Sequence, residues 1–362
     1  MNESTKPKSR VIAVLSGKGG SGKTMIVAVM ASYLMRVSRT LVVDADTGTA
    51  GMSYFLGLES VANIRVGLSN VAERINTQAF VDSLFNSIQP AKGPMQERFD
   101  FLGIGDHRKL ERVVPEDRIA DFLKSVIASL RKNYEGWILI DCRGGIDRES
   151  LAVCGEVDDI IVVTESDTTS FQATKHVVDV LSDNDLAHKV RGFIINKVFD
   201  NPSVIVAQGT SVFGTQFLSA IPFDLRATRS FLIGRIPFPY SPFSQHVLAA
   251  LHRAYPESVK PPEIRPWRFE EYRELGLTNL DSIRGGFFAA ASIFVMSIAL
   301  GFRVWGSGTA YLSDRVIVGL VSAMLLIGFL GSMENTRRLL GRLISSYLGL
   351  ASRLYGRPNN DI

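Results

Sequence analysis

Residues 17–24 read Gly-Lys-Gly-Gly-Ser-Gly-Lys-Thr and follow directly on an apolar run, 11–15. The glycines at 17, 19, 20 and 22 remove the Cβ atoms that would stop the backbone from curling around a phosphate chain, so consecutive N–H groups can point inward as an anion nest. The apolar segment 25–34 then opens a helix whose N-terminal dipole faces the same anion. The spacing G-x-x-x-x-G-K-[ST] predicts a nucleoside triphosphate site in which Lys23 contacts the β and γ phosphates and the Thr24 hydroxyl ligates Mg²⁺. A glycine-rich surface turn is the competing reading, and the strand before the loop and the helix after it argue against that. Lys18 is a second lysine, which an ordinary phosphate loop lacks.

Two more segments supply carboxylates. A β-branched run, 39–43, ends in Asp44-Ala45-Asp46-Thr47-Gly48, and 137–140 ends in Asp141-Cys142-Arg143-Gly144-Gly145. In an open α/β sheet, ligands sit at the carboxyl ends of the strands, so Asp44, Asp46 and Asp141 converge on the phosphates. One aspartate after a strand is more often a turn former or helix cap, but three beside a phosphate loop read as a site.

These segments together resemble a known family. K-G-G-S-G-K-T (18–24), L-V-V-D-A-D-T-G (41–48) and I-L-I-D-C-R-G-G (138–145) look like the deviant Walker A, A′ and B motifs of the ParA/MinD ATPases. The likeness continues through 160–164, through Gly192-Phe193-Ile194-Ile195-Asn196 and through Ala220-Ile221-Pro222-Phe223-Asp224, and covers about residues 10–255. It implies a doubly wound α/β fold with a mostly parallel sheet, and an ATPase that works with Mg²⁺. Under the resemblance, Lys18 is the signature lysine, reaching across a two-fold interface to the nucleotide of the partner subunit in an ATP-bound homodimer. Gly19, Gly20, Ser21, Gly22, Lys23, Thr24 and Met25 cradle the phosphates. Asp46 orients the attacking water, Asp141 holds the Mg²⁺ hydration shell with Thr24 and Asp46, and Gly145 offers a backbone N–H to the γ-phosphate. Asn196 reads adenine and the backbone after Pro222 lines the base. Asp44 is a supporting carboxylate. The run 196–200 half-resembles a guanine-reading N-K-x-D, but its aspartate stands one residue too far along, which favours ATP over GTP.

About 100 residues remain after that domain, and they account for a hydrophobic content of 46% in a charge-rich chain. Residues 285–302 and 316–333 are uncharged runs near the lower length for a bilayer span. Neither shows the polar face of a helix in a soluble core. They predict a transmembrane hairpin, 285–333, with a short connector between its spans. Arg337, Arg338, Arg342, Arg353 and Arg357 follow it, whereas the connector has Arg303 and Arg315 at its edges. That asymmetry places the ATPase domain and the tail in the cytoplasm, at the inner membrane. The expected organisation is a polar N-terminus (1–9), the ATPase domain (10–255), a Pro- and Arg-rich linker with Trp267 (256–284), the hairpin, and a basic amphipathic tail (334–362). Trp267 reads equally as a membrane-interface anchor or as a cover on the domain surface. The tail reads equally as an interfacial helix on the lipid bilayer or as one packed on protein.

The polar N-terminus does not resemble a signal peptide. Cys142 and Cys154 are too few for a disulfide framework. Five histidines show no metal-ligand spacing. Arg226, Arg229 and Arg235 read as a solvated surface, so nucleic acid is not the expected partner. Three functions compete: a membrane-anchored, ATP-dependent dimerisation switch that recruits a further protein partner to an envelope or division machine; a bacterial tyrosine autokinase with a similar A′ motif; and a nucleotide-controlled membrane effector or scaffold. Spans that follow the domain, and a tail with only Tyr347 and Tyr355, count against the autokinase.

Overall fold

The computed structural model describes residues 9–57, 66–199 and 202–262. They belong to the first of two compact units, Met1–Glu270; the second, Glu271–Ile362, lies outside the described residues. So do the expected hairpin, the tail and most of the linker. Among the described residues, no helix is long and apolar enough to cross a membrane.

An eight-stranded sheet organises the domain. In chain order the strands are β1 (Arg10–Ser16), β2 (Thr40–Asp44), β3 (Gln89–Lys92), β4 (Arg98–Leu102), β5 (Trp137–Gly144), β6 (Asp159–Glu165), β7 (Val190–Val198) and β8 (Phe217–Pro222). Their order across the sheet is β3-β4-β2-β5-β1-β6-β7-β8. Every adjacent pair is parallel except β3 with β4, which closes one edge antiparallel. This is the doubly wound, mostly parallel α/β architecture that the family resemblance implies.

Strand β1 shows why the sheet is covered on both faces. Val11, Ala13 and Leu15 enter one core and Ile12 and Val14 the other, and all five are fully buried. Burying a branched aliphatic side chain contributes about 1.5–3 kcal/mol, so a continuous apolar run is stable only as a strand between two layers. The first layer includes α6 (Ile119–Asn133), α7 (Arg148–Glu156) and α8 (Thr168–Asp183). The second is built on α1 (Lys23–Leu34) and α11 (Pro242–Ala254), and the short helices α2 (Gly51–Gly57), α3 (Leu68–Ala72), α4 (Phe80–Asn86) and α5 (His107–Val113) lie between β2 and β5 in the chain. Every residue of α1 but Thr24 is buried, which explains why its sequence is apolar all round.

Helix starts follow local chemistry. Asp147, Asp167 and Ser241 cap α7, α8 and α11 by accepting from the N–H three residues on, and Asp224 caps α10 (Leu225–Leu232) in the same way. Helix α1 differs: its N-cap is Gly22, in the left-handed region at φ 87°, with no side-chain cap and no acidic residue in its first turn. Its free N–H groups are left for another anion.

Two features differ from the sequence reading. The glycine-containing segment after Asn196, to which the sequence motifs assign no element, contains a further helix, α9 (Ser203–Phe213). Strand β5 runs on to Gly144, so Asp141 lies inside the strand and not in the turn after it.

Close approach of α8 to the phosphate loop depends on Gly17, where a Cβ would stand 2.3 Å from the Ala173 carbonyl carbon and from the Thr174 nitrogen. Both are backbone atoms, so the overlap must be relieved by moving α8 or the loop. Gly17→Ala is expected to destabilise the domain by about 1–3 kcal/mol, read as a lower midpoint in urea unfolding at unchanged slope; an unchanged midpoint would show that α8 yields freely.

Candidate nucleotide-binding site

The loop between β1 and α1 lies where the strand order reverses, with β5 on one side of β1 and β6 on the other. At such a point the carboxyl ends of the strands part and leave a crevice.

The loop is held by its carbonyl oxygens. Ser16 Oγ donates to Lys18 O at 2.7 Å, Lys197 Nζ to Gly20 O at 2.6 Å and Asn196 Nδ2 to Ser21 O at 2.7 Å. In a trans peptide, the carbonyl and the following N–H point in opposite directions. Pinning those three oxygens toward the body of the protein therefore turns the amides of Gly19, Ser21 and Gly22 the other way. Among the described residues, no acceptor meets the N–H groups of Gly19 through Met25. The predicted cradle is thus present as a row of open donors.

Lys23 is buried, and its ammonium donates to Ser16 Oγ at 2.9 Å. Thr24 Oγ1 donates to Asp141 Oδ2 at 2.7 Å, while Asp141 Oδ1 is buried with no partner. Burial raises the Asp141 carboxyl to about 6, against the pull of Lys23 and the Thr24 hydroxyl. Asp44 is raised to about 7, chiefly by burial and next by Asp141. It accepts from Ser53 N and Ser53 Oγ, both at 2.7 Å, and from Asp46 N at 3.1 Å. Asp44 thus braces the turn. Asp46 is half-buried and accepts from Thr49 N at 3.0 Å and Thr49 Oγ1 at 2.5 Å. A hydroxyl, an unpartnered carboxylate oxygen and a second carboxylate nearby form an all-oxygen donor set, and this fits Mg²⁺.

The remaining predicted residues are placed less simply. The Gly145 N–H donates to Ser16 O at 2.8 Å, and the residue is in the left-handed region at φ 96°. Its amide is turned inward here, and it reaches a phosphate only if that peptide rotates. Asn196 is buried, and its Nδ2 is spent on the loop. Pro222 ends β8 in register with Val198 of β7, close to Asn196, and Phe199 stacks on Phe223 at 4.9 Å beside them. Lys18 stands at the rim, its side chain 38% exposed, 3.2 Å from Asp167 and 4.0 Å from Glu165. Asp167 is held well below the usual carboxylate range by hydrogen bonds from Ser170 and Thr169. Sequence reasoning missed Glu165, Asp167, Lys197 and Ser53. The half-match at 196–200 was the one signal that Lys197 belongs near the site.

The CobQ/CobB/MinD/ParA nucleotide binding domain family matches the chain over residues 12–237. This chain belongs to that family. Family members of the MinD/ParA kind are ATPases that use Mg²⁺ with ATP, and the chain is an ATPase of this kind. It is 27% identical over 230 residues to the putative septum site-determining protein MinD of Tupiella akineta, covering 62% of this chain and 69% of that protein. The corresponding protein of Nephroselmis olivacea is 28% identical, with 61% and 77% covered. Among solved structures, MinD of Pyrococcus horikoshii OT3 complexed with Mg-ADP is 25% identical with a TM-score of 0.55, covering 68% of this chain and 96% of that one. The MinC:MinD complex of Aquifex aeolicus shares the fold at 19% identity and a TM-score of 0.56, covering 71% of this chain and all of that one.

The raised carboxylates set a pH dependence. Both folded values exceed the unfolded carboxylate value of about 3.9, so the fold holds these protons more tightly than the unfolded chain. Their stabilising contribution is complete below about pH 4 and is lost as pH rises through about 6 to 7. Asp44→Asn is therefore expected to flatten the fall in melting temperature of the ligand-free protein between pH 5 and pH 8. Thermal scans across that range check it, and a parallel downward shift of the whole curve would count against the assignment.

Proposed function

We propose that the chain is a membrane-anchored ATPase in which ATP-driven homodimerisation acts as a switch that recruits or positions a protein partner at the inner membrane. The observation that carries this reading is the division of labour between two lysines. Lys23 is buried among Ser16, Thr24 and Asp141, whereas Lys18 stands outward at the rim with only exposed or half-buried carboxylates for company. A rim lysine beside a phosphate loop is placed to act on a nucleotide held by another copy.

Each residue then has a task. The open amides from Gly19 to Met25 and the Lys23 ammonium bind and neutralise the triphosphate. Thr24 and Asp141 would hold Mg²⁺, with Asp46 close to them; the ion supplies charge neutralisation at the β and γ oxygens when bound. Asp46 orients the attacking water, and Gly145 exchanges its bond to Ser16 O for one to the γ-phosphate. Loss of that phosphate returns the amide to Ser16. Asn196, Phe199 and Phe223 would flank the base, and the preference for adenine rests on the aspartate of 196–200 standing one residue too far along for guanine. Phosphoanhydride cleavage needs positioning and charge stabilisation, and Lys18 donated in trans supplies the last positive charge.

The predicted hairpin at 285–333 and the cytoplasmic orientation read from the arginines of the tail support a permanent anchor. The relatives named as septum site-determining proteins support a role in placing a division or envelope machine.

Lys18→Ala is expected to abolish ATP-dependent dimerisation and to lower turnover by on the order of 10³-fold, as loss of an arginine finger does. Light scattering with and without Mg-ATP, together with phosphate release, reads both; retained dimerisation would remove Lys18 from the interface. Lys23→Ala should lose nucleotide binding yet remain in the membrane fraction, whereas a shift to the cytosol would overturn the permanent anchor.

A further inference from the structure

Helix α10 packs its small side chains inward and its large aliphatic ones outward. Ala227 is buried and Ser230 half-buried, and the Phe231 ring stacks on Phe55 of α2 at 4.8 Å. These hold the helix to the domain. On the other side Leu225 is 50% exposed, Leu232 75%, and Ile233, just past the last turn, 57%. At about 100° per residue, Leu225, Arg229 and Leu232 share one stripe of the helix, and Arg226 and Ile233 share a second beside it. The chain then turns back at Gly234, in the left-handed region at φ 66°, and Arg235 N donates to Ser230 O at 2.9 Å. That bond keeps a third arginine at the end of the helix. One exposed leucine needs no explanation, but three aliphatic side chains interleaved with arginines on one face form a patch that calls for an occupant.

The charge on this face has one sign. Arg226, Arg229 and Arg235 are exposed, and none has an ion pair or a side-chain hydrogen bond among the described residues. The one acid in the segment 223–241 is Asp224, which is buried and accepts from Arg226 N and Ala227 N as the helix cap. The occupant must therefore supply negative charge and also take up aliphatic side chains. A nucleic acid backbone or an acidic peptide answers the arginines and leaves Leu225, Leu232 and Ile233 in water. The aromatic anchors that protein interfaces favour are also missing, because the Phe231 ring is engaged with Phe55. The boundary between headgroups and acyl chains in an anionic bilayer meets both demands within the width of one helix. Aliphatic tips enter the hydrocarbon while the guanidinium groups, carried on flexible stems, stay with the phosphates.

We propose that the outward face of α10 docks the ATPase domain on an anionic bilayer, with Leu225, Leu232 and Ile233 inserted and Arg226, Arg229 and Arg235 on lipid phosphates. A chain held by the predicted hairpin alone is tethered but free to tumble; docking through α10 gives it one orientation. Helix α10 starts three residues after Pro222 ends β8, so the docked domain turns the carboxyl edge of its sheet, where the nucleotide site lies, toward the lipid. The contact does not depend on the hairpin, and a chain without an anchor would bind the same vesicles.

The test uses the purified full chain with Leu232→Cys labelled with bimane; Cys142 and Cys154 are buried, and the unsubstituted chain gives the background labelling. The labelled chain is combined with vesicles of brominated phosphatidylcholine, with and without phosphatidylglycerol. Quenching is expected in the vesicles that contain phosphatidylglycerol and not in the others. Arg226→Gln, Arg229→Gln and Arg235→Gln should each lower the ratio of docked to undocked chain about fivefold. A label on Lys132→Cys, an exposed position of α6 in the other layer, should stay unquenched throughout. Co-sedimentation with pure phosphatidylcholine vesicles reads the hairpin separately, so loss of the anchor and failure of docking are told apart. An unquenched label at position 232 would overturn the proposal, as would quenching that ignores the three arginine substitutions or extends to position 132. A label indifferent to lipid but shielded by Mg-ATP in detergent would also overturn it, since the face would then join two copies of the chain.

Discussion

The structure depends on the three hydrogen bonds that hold the carbonyls of the phosphate loop toward the protein body. Because the peptide unit is planar, fixing Lys18 O, Gly20 O and Ser21 O also fixes the amides that follow them. The anion nest is thus built from behind, by Ser16, Lys197 and Asn196 at the ends of β1 and β7. A row of N–H groups without acceptors is unfavourable in a ligand-free protein, and it persists because the sheet positions the groups that hold it. The same demand explains the close contacts around the loop: Gly144 stands where a Cβ would come 2.5 Å from Gly19 N, and Gly22 where one would come 2.3 Å from Asn196 Nδ2.

Charge is arranged in the same spirit. Asp44 and Asp141 are both enclosed on neighbouring strands in register; burial resists ionisation of each, and beyond burial Asp141 resists that of Asp44 while Asp46 resists that of Asp141. Hydrogen bonds from Ser53 relieve Asp44, and Thr24 relieves one oxygen of Asp141. The oxygen left without a partner costs stability in the ligand-free fold, and a divalent cation with a triphosphate removes that cost. Ligand binding and stability are therefore coupled at this pair of strands.

Much of this was legible in the sequence because it is local. The glycine spacing, the strand before the loop and the helix after it are consecutive, and their roles follow from backbone geometry alone. Asp44 and Asp141 could be read as site residues because each follows directly on an apolar run, and in a parallel sheet the carboxyl ends of such runs converge. What could not be read is long-range. Lys197 meets Gly20 across 177 positions and Asp167 meets Lys18 across 149. Nothing in either local pattern announces a partner. Helix α9 was hidden for a different reason: Pro202 at its start and Gly214 at its end bracket a short run with glycine inside, which by composition reads as a loop. The edge strand β3, four residues with a proline inside, is too short and too exposed to show a clear period of two.

The pairing of Lys18 with Asp167 raises the question of whether it restrains the lysine from acting elsewhere. The lysine side chain is 38% exposed and that of Asp167 44%. Exposed ion pairs of this kind contribute about 0–1 kcal/mol, because water screens the attraction and two long side chains lose freedom to hold it. A charge-assisted hydrogen bond to a phosphate oxygen contributes about 1.5–3 kcal/mol, and more where the site is closed to water. The balance favours release whenever a phosphate is offered within reach. The tie from Ser16 to its backbone carbonyl fixes the peptide that shapes the nest and leaves the side-chain torsions free, so the ammonium can move without disturbing the loop. The ion pair therefore holds the lysine at the rim beside Asp167 and Glu165 only loosely, so that it is released when a phosphate competes for it.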